Sequence, residues 1–234
     1  MEKGIYIFYI KQTEKLSEDI FQKLLLQLPE QFQKDINAYK HWESAQASLL
    51  GKILLLYGFK NLNISYSLYD IQIGEKDRPF LSFTAESLLK DTVSGFIDFN
   101  ISHSGEYIIC AITQNAKVGI DIEKHRKLNV DLFKKYFDDN EWNEIQTSED
   151  VQKTFFDLWS IKESVIKCDG RGVEILSETH KQYQQNNSNT VLCDAIIFHY
   201  QQVEIAPDYA CCVCSNEEFK IKLTMLHLSD LTDA

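Results

Sequence analysis

The sequence predicts an α+β fold made of two similar halves, and three observations support this prediction. Strand-like and helix-like runs alternate along 234 residues, a length that suits one large or two small domains. Hydrophobic residues make up 44% of the chain, which is enough for a substantial core. A faint internal repeat relates residues 106–112 (EYIICAI) to residues 208–214 (DYACCVC). The repeat indicates a boundary near residues 114–117, between an N-terminal unit 1–115 and a C-terminal unit 116–234.

In the first half, helices are expected to precede most of the strands. Ser17 is a suitable N-cap for a helix that ends near Pro29. A second helical region is predicted over residues 30–57, with a break near His41 and with Gly58 as its stop signal. Apolar, aromatic and β-branched runs predict strands at residues 4–10, 64–69, 99–102 and 107–113.

The second half repeats the order of strand, helices and strands. A helix through Trp159 is expected to end near Gly170. The polar segment 181–189, rich in Gln and Asn, indicates an exposed loop or the tip of a hairpin. Further helices are predicted at residues 130–137 and 139–145, and strands at residues 118–123, 195–204, 209–215 and 220–228.

Composition excludes several classes of function. The net charge of −11 disfavours nonspecific binding of nucleic acid or anionic membranes. No apolar run approaches the ~20 residues of a membrane-spanning helix, and the first residues do not resemble a signal peptide. The six cysteines form no Cys-x-x-Cys pair, so we expect reduced thiols packed in strands rather than a zinc or redox centre. These features predict a cytoplasmic protein.

Two polar motifs predict a site for a metal ion. In the segment 118–123 (VGIDIE), strand alternation puts Asp121 and Glu123 on one face. In the segment 159–167 (WSIKESVIK), helical spacing puts Trp159, Glu163 and Lys167 on one side, with Lys162 beside them. Three carboxylates and a lysine suit Mg²⁺ that faces a diphosphate, because Mg²⁺ prefers hard oxygen ligands. The alternative is an acidic strand next to an ordinary surface Glu–Lys pair.

With these motifs, the segment 99–104 (FNISHS) makes the chain resemble the Sfp-type 4′-phosphopantetheinyl transferases. The signature of that family is G-[IV]-D-[IV]-E followed roughly forty residues later by W-x-x-K-E-x-x-x-K, and a third element is F-N-[IV]-S-H-S. The resemblance implies two α+β halves related by pseudo-two-fold symmetry, with the ligand between them. The N-terminal half would then contact the phosphates of coenzyme A, and the C-terminal half would hold the metal site and the catalytic helix.

The resemblance also implies an activity and the roles of the residues in the motifs. Family enzymes transfer the 4′-phosphopantetheine arm of coenzyme A to a serine of an apo acyl or peptidyl carrier protein and release adenosine 3′,5′-bisphosphate. Asp121, Glu123 and Glu163 would bind Mg²⁺, for which Mn²⁺ could substitute. Lys167 would contact the leaving phosphate of the coenzyme. The catalytic residues would be Asp121, Glu163 and Lys167, with Glu163 or a metal-bound water accepting the serine proton.

Four further residues match coenzyme-binding positions of the family. They are Lys34, Arg78, Ser102 and His103. Trp159 is expected to be a packing anchor for its helix. Glu141 matches an acidic position of the family, or is simply an acid at a helix start. Basic residues found in many relatives are absent at Gln31 and Ala47, and Lys40 or Lys52 could replace them.

The sequence also predicts a surface for the carrier protein. The segment 126–137 combines basic and apolar residues next to the metal strand, so it is expected to dock the carrier. A monomer is favoured because one chain already contains both halves. Two other functions stay open: a non-catalytic module that binds coenzyme A or a carrier, and a Mg²⁺-dependent diphosphate hydrolase.

Overall fold

The strand patterns of the sequence correspond to two sheets that pack face to face. The computed structural model describes residues 4–74, 76, 78–82, 96–182 and 189–232. Its strands are β1 (Ile5–Lys11), β2 (Ile71–Ile73), β3 (Pro79–Leu81), β4 (Ile97–Ser104), β5 (Tyr107–Gln114), β6 (Val118–Lys124), β7 (Thr179–Lys181), β8 (Thr190–Cys193), β9 (Ile196–Gln202), β10 (Tyr209–Ser215) and β11 (Ile221–Leu226). Its α-helices are α1 (Glu18–Leu25), α2 (Glu30–Asn37), α3 (Trp42–Asn61), α4 (Asp139–Thr147), α5 (Val151–Asp169) and α6 (Leu228–Thr232).

The two halves share a common core of three strands and a long helix, β1-β5-β4 with α3 and β6-β10-β9 with α5. One sheet has the strand order β11-β1-β5-β4, and the other has the order β6-β10-β9-β8-β7. In each half the first strand pairs antiparallel with the second strand of a later hairpin: β1 with β5, and β6 with β10. A long helix packs on each sheet, α3 on β5 and α5 on both β6 and β10. The internal repeat therefore corresponds to β5 and β10, and the α+β fold with two similar halves is confirmed.

The end of the chain departs from the predicted division into halves. Strand β11 pairs in parallel with β1, and Leu226 and Leu231 lie in the core of the first half. The unit 116–234 is therefore not one structural half, because its last segment completes the first sheet.

Three apolar cores result from this arrangement. Between the sheets, residues of β1 and β5 face residues of β6 and β10. The outer face of the first sheet is covered by α1, α2, α3 and α6. The outer face of the second sheet is covered mainly by α5 and the aromatic residues around it. The layers are thus helix, sheet, sheet and helix.

Side chains rather than backbone groups join β4 to β6. Four alternate residues of β4 accept hydrogen bonds from four alternate amides of β6. The pairs are Asp98 with Val118 at 2.8 Å, Asn100 with Ile120 at 3.0 Å, Ser102 with Ile122 at 3.3 Å and Ser104 with Lys124 at 3.0 Å. The sequence carried this signal as polar residues at every second position of a strand, opposite buried Ile97 and Phe99. The two sheets consequently meet in a defined register at the candidate site.

Most predicted helices are present, with two corrections. Ser17 caps α1, and the break near His41 separates α2 from α3. However, Gly58 does not stop α3, which continues to Asn61. A Cβ at Gly58 would lie 2.4 Å from Cδ1 of Ile112, so this glycine allows close helix–sheet packing. The predicted helix at 130–137 is a 3-10 helix, Val130–Tyr136.

The predicted strand at 64–69 is wrong. Ile64, Tyr66 and Leu68 are buried and alternate with exposed neighbours, which is the burial pattern of a strand. The segment instead packs one side against the helical core, belongs to none of the strands that the structure describes, and ends in a short 3-10 helix, Leu68–Asp70. Part of the predicted loop 181–189 lies outside the described residues, between the antiparallel strands β7 and β8.

Candidate active site

Helix α5 and strand β6 approach each other very closely at Gly119 of β6. A Cβ at this residue would lie 1.9 Å from the carbonyl oxygen of Ser164 and 2.5 Å from the amide nitrogen of Cys168. Alternation along β6 directs Asp121 and Glu123 to the same face as Gly119. The two carboxylates therefore point towards α5.

Helix α5 contributes the other side of the site. Asp150 caps its first turn, and Gly170 ends it in the left-handed conformation with φ of 92°. Trp159, Glu163 and Lys167 lie on one side of this helix, as predicted, and line a cavity of about 340 Å³. Ser102, His103, Asp121 and Glu123 line the same cavity. Six predicted site residues are thus collected in one place, together with Trp159.

Lys167 and Asp121 form the centre of the site. The Lys167 Nζ donates to Oδ1 of Asp121 at 2.6 Å and to Oγ of Ser102 at 3.0 Å. The Ser102 hydroxyl in turn donates to the same Asp121 oxygen at 3.1 Å. Ser102 therefore has two roles, since it also accepts from the β6 amide at Ile122.

The hydrogen bonds and ion pairs of the site do not fully balance the negative charge of its carboxylates. Oδ2 of Asp121 is buried and accepts no hydrogen bond from any residue that the structure describes. Glu123 is paired with Arg126, whose Nη1 lies 2.9 Å from Oε2. Burial raises the pKa of the Glu163 carboxyl, and the charges of Asp121 and Glu123 raise it further. The site therefore concentrates negative charge that a bound cation would stabilise.

His103 lies at the margin of the cavity, on the opposite face of β4 from Ser102. Although the residue as a whole is exposed, surrounding protein atoms and then the charge of Lys167 lower the pKa of its imidazole. A neutral imidazole at physiological pH still donates one hydrogen bond, for which a phosphate oxygen is a suitable acceptor.

Two predicted coenzyme contacts do not line this cavity. Arg78 lies behind α5, where its Nε donates to the carbonyl of Lys167 at 2.7 Å and its Nη2 donates to Asp98 at 2.6 Å. Nη2 also donates to the carbonyl of Val118 at 3.2 Å, so the guanidinium links the end of α5 to β4 and β6. Lys34 is exposed on α2 and forms no ion pair within the described part of the chain. Their contacts with the coenzyme stay predictions.

Lys162 does not share the face of Glu163, in contrast to the sequence-based prediction. It is buried on the other flank of α5, 2.8 Å from Oε2 of Glu141, and it also donates to the carbonyl of Thr179. Glu141 additionally accepts from the amides of Asp138 and Lys181. Glu141 therefore caps the start of α4, as the interpretation of a helix-start acid predicted, and it also pairs with the buried lysine.

A second cluster of acidic side chains is a weaker candidate for a metal centre. Ligand atoms of Asp138, Glu141 and His180 lie within 4.8 Å of one another. Glu141 already accepts the Lys162 ammonium and two amides, so a cation there would compete with a buried positive charge. The predicted ligands Asp121, Glu123 and Glu163 are more widely spaced but line an open cavity.

Trp159 is a packing residue, as predicted. Its ring stacks on Phe155 with centroids 5.7 Å apart. It also makes edge-to-face contacts with Phe133 and Tyr136 and a tilted contact with Phe137. Three residues per turn put Phe133 and Tyr136 of the 3-10 helix on this side. Leu132 of the same 3-10 helix is, in contrast, 72% exposed.

This arrangement suits chemistry on a phosphorylated substrate. Three carboxylates can bind a divalent cation, a lysine can contact a charged oxygen, and a carboxylate with a raised pKa is a stronger base than an ordinary glutamate. A larger cavity of about 580 Å³ is lined by residues that include Asp157, Val203 and Pro207, but by none of the predicted site residues. The smaller cavity is therefore the candidate active site.

Comparison with known proteins gives matches along both halves. Residues 15–115 match the family model described as "4′-phosphopantetheinyl transferase, N-terminal", and residues 117–214 match the model of the 4′-phosphopantetheinyl transferase superfamily. The chain is 28% identical to the 4′-phosphopantetheinyl transferase gsp of Aneurinibacillus migulanus, with 97% of this chain and 93% of the relative covered. It is 26% identical to the 4′-phosphopantetheinyl transferase Sfp of Bacillus subtilis (strain 168), with 96% and 99% covered.

A mammalian protein is similar over a shorter region. The chain is 32% identical to the L-aminoadipate-semialdehyde dehydrogenase-phosphopantetheinyl transferase of Rattus norvegicus, with 55% of this chain and 44% of the relative covered. The bacterial matches, in contrast, extend over nearly the whole length of both proteins.

Proposed function

Because the chain belongs to the 4′-phosphopantetheinyl transferase superfamily, we propose that it transfers the 4′-phosphopantetheine arm of coenzyme A to a serine of an apo carrier protein. The second product is adenosine 3′,5′-bisphosphate. The observation that carries the proposal is the single cavity that collects Asp121, Glu123, Glu163 and Lys167. These are the residues that the resemblance to the family assigned to metal binding and catalysis.

The site fits a divalent cation, which we assign as Mg²⁺. The buried Oδ2 of Asp121 has no hydrogen-bond partner among the described residues, and the raised pKa of Glu163 reflects burial next to other carboxylates. Asp121, Glu123 and Glu163 would hold the ion, since hard oxygen ligands suit Mg²⁺. When bound, the ion neutralises charge on the diphosphate of coenzyme A.

The protein residues divide the remaining tasks. Lys167 is held against Asp121 and Ser102, so its ammonium is already oriented towards the cavity where the leaving phosphate would develop charge. Glu163 is the candidate proton acceptor for the carrier serine, because its raised pKa makes its carboxylate a stronger base than that of an ordinary glutamate. His103 would contact the coenzyme at the margin of the cavity.

The surface next to the cavity supports a docking site for the carrier. Leu132 is 72% exposed, and Lys127, Lys134 and Lys135 around it in sequence are also exposed. An apolar contact among lysines suits an acidic partner, with charge contributing mainly to the association rate and orientation. Arg126 is not part of this free surface, because it pairs with Glu123 and lies over the ring of Phe156.

A transfer assay tests the proposed function. The protein is incubated with coenzyme A, Mg²⁺ and an apo acyl carrier protein, and the carrier is weighed by mass spectrometry. We expect the mass gain of the phosphopantetheine arm, loss of the gain in EDTA, and restoration by Mn²⁺. Asp121→Asn and Glu163→Gln should abolish transfer while the fold is retained, because each removes a ligand charge.

The same assay separates the alternatives. Release of adenosine 3′,5′-bisphosphate without any carrier would indicate a diphosphate hydrolase. Binding of coenzyme A without either product would indicate a non-catalytic module. Full transfer in EDTA would contradict the metal assignment.

The carrier surface needs a separate measurement. Lys127→Glu combined with Lys135→Glu should raise KM for the carrier several-fold and leave KM for coenzyme A nearly unchanged. Lys60→Glu, an exposed position at the far end of α3, is the matched control. Equal kinetics of both variants at low salt would refute the docking surface. We also propose that the protein is monomeric and cytoplasmic.

Among the described residues, none of the helices combines the length and the apolar character that a membrane span requires.

A further inference from the structure

Arg78 of the first half binds the carboxyl end of α5 in the second half. The last turn of an α-helix has carbonyl groups that no later amide of the helix satisfies. In α5 the amide of Gly170 donates to the carbonyl of Ile166, whereas the carbonyl of Lys167 accepts from Nε of Arg78 at 2.7 Å. A cation is favoured at this position, because the C-terminal end of a helix carries partial negative charge. A residue 89 positions earlier in the chain thus completes this turn.

The guanidinium of Arg78 is fixed in turn by β4 and β6. Its Nη2 lies 2.6 Å from Oδ2 of Asp98 and donates to the carbonyl of Val118 at 3.2 Å. The Asp98 side chain is 1% exposed, and the same oxygen accepts from the amide of Val118 at 2.8 Å. The arginine stem packs on Gly170, where an added Cβ would lie 2.8 Å from Cδ. The planar fork of an arginine serves several acceptors in fixed directions, which the point charge of a lysine does not do.

The backbone that Arg78 holds belongs to the lysine of the candidate active site. The Lys167 Nζ lies 2.6 Å from Oδ1 of Asp121 and 3.0 Å from Oγ of Ser102. Asp121 belongs to β6 and Ser102 belongs to β4, which are the two strands that Arg78 links to the end of the helix. The backbone of Lys167 and its ammonium are therefore both bound to the same pair of strands.

We propose that Arg78, held by Asp98, is a positioning residue for Lys167 in the transfer reaction. This role differs from the coenzyme contact that the resemblance implied, because Arg78 acts through the end of α5 and not on the substrate. The inference rests on the proposed function and adds to it the residue that sets where the Lys167 ammonium meets the leaving phosphate. A displacement of a catalytic group by about 1 Å can cost about 100-fold in rate, so loss of Arg78 should affect turnover more than binding.

Two substitutions remove the guanidinium without leaving a buried charge unpaired. Asp98→Asn is the reference protein, since its amide oxygen can still accept from the amide of Val118. Addition of Arg78→Met keeps an apolar stem over Gly170 and removes the donated hydrogen bonds. We expect kcat of the carrier assay to fall by roughly 10- to 100-fold relative to the reference. KM for coenzyme A should change by less than about twofold, because Arg78 does not line the cavity.

A double-mutant cycle with Lys167→Ala separates positioning from a direct contact with the substrate. In the reference protein that also carries Lys167→Ala, addition of Arg78→Met should lower the single-turnover rate by less than about twofold, because the group that it positions is absent. A loss of about tenfold that persists without the lysine would show that Arg78 serves the reaction in another way, and it would overturn the proposal. Unchanged kcat in the protein that retains Lys167 would overturn it equally.

Amide hydrogen exchange gives a readout that does not depend on turnover. The peptide of residues 165–171 should exchange faster when Arg78→Met is added, because the last turn of α5 loses its bond to β4 and β6. Arg171→Met is the matched control, since this arginine lies at the same end of α5 but pairs with two aspartates and not with the carbonyl of Lys167. The control should keep kcat within about twofold of the unmodified protein. An equal fall of kcat in the control, or unchanged exchange in the Arg78 variant, would refute the assignment to Arg78.

The outcome is distinguishable from failure of the proposed function. If the unmodified protein transfers the arm to a carrier but the effects of Arg78→Met and Lys167→Ala on the rate are independent, only the positioning role is refuted. If the unmodified protein transfers no arm to any carrier, both the function and the positioning role are refuted.

Discussion

The substitution Gly119→Ala tests the packing that positions the catalytic helix. A Cβ at this residue would lie 1.9 Å from the carbonyl oxygen of Ser164 and 2.9 Å from Cβ of Cys168. An ordinary carbon–oxygen contact is about 3.3 Å, so the strand and the helix would have to separate by roughly 1.4 Å. The obstacle is helix backbone, which cannot avoid the new methyl group by changing a rotamer.

The expected cost follows from that displacement. Insertion of a methyl group into a well-packed core typically costs about 1–3 kcal/mol, and a backbone obstacle places this case at the upper end. A loss of about 3 kcal/mol corresponds to a fall in Tm of roughly 6–12 °C for a domain of this size. Because Glu163 and Lys167 move with α5 while Asp121 stays on β6, a shift of about 1 Å should also reduce kcat by about 100-fold.

Thermal unfolding and the carrier mass assay measure the two effects separately. Gly51→Ala is the matched control, since it adds the same methyl group where α3 crosses β4. There the obstacle is a side-chain methyl of Ile101 at 2.8 Å rather than helix backbone, and a gain in helix propensity of about 1 kcal/mol offsets part of the cost, so the loss of stability should be smaller than for Gly119→Ala. A Gly119→Ala variant with unchanged Tm and unchanged kcat would refute the claim that this glycine sets the helix–strand distance.

Three other measurements address charge and burial. Lys162→Met should lower the free energy of unfolding in urea by about 3–5 kcal/mol, because Glu141 is left as an uncompensated buried charge. Adding Glu141→Leu should recover part of this loss, and a double variant less stable than the single one would contradict the reasoning. Transfer should decline as the pH falls through the raised pKa of Glu163, at a higher pH than for an ordinary glutamate, since the carboxylate must be ionised to bind the cation or accept a proton. Added Mg²⁺ should move the midpoint of kcat/KM to lower pH, and a profile insensitive to Mg²⁺ would count against the assignment. Burial raises the pKa of the Cys212 thiol to about 12, and all six free cysteines are buried, so an aromatic disulfide reagent should modify the protein only after denaturation. Rapid modification of the native protein would show that the thiols are accessible.

Elements with a strong periodic pattern and clear end signals could be predicted from the sequence. The strand at 209–215 was predicted with the bounds observed for β10, and Gly170 ends α5 as expected. The wrong strand at 64–69 shows the limit of the same reasoning. Alternation of apolar and polar residues indicates which side of a segment is buried. A strand also needs a neighbouring strand as the partner for its backbone hydrogen bonds. That partner is decided by the other elements of the fold.

The same limit applies to glycines and to the flanks of helices. Gly58 was interpreted as a stop signal, whereas it lies inside α3 against Ile112 and Phe8. Lys162 was placed beside Glu163, although adjacent residues of a helix are about 100° apart around its axis. Whether such a residue is exposed or buried depends on which flank meets the sheet, and here Lys162 was buried against Glu141.

The sequence by itself determined which candidate site residues share a face, because its motifs place Asp121, Glu123, Glu163 and Lys167 through short-range geometry. Two carboxylates on alternate strand positions and two residues one helical turn apart share a face in any fold that contains that strand and helix. Only the tertiary structure decided how these faces meet, that Arg78 bonds to the carbonyl of Lys167, and that Lys162 is buried against Glu141. Those relations join residues far apart in the chain, and they depend on how closely the helices and sheets pack.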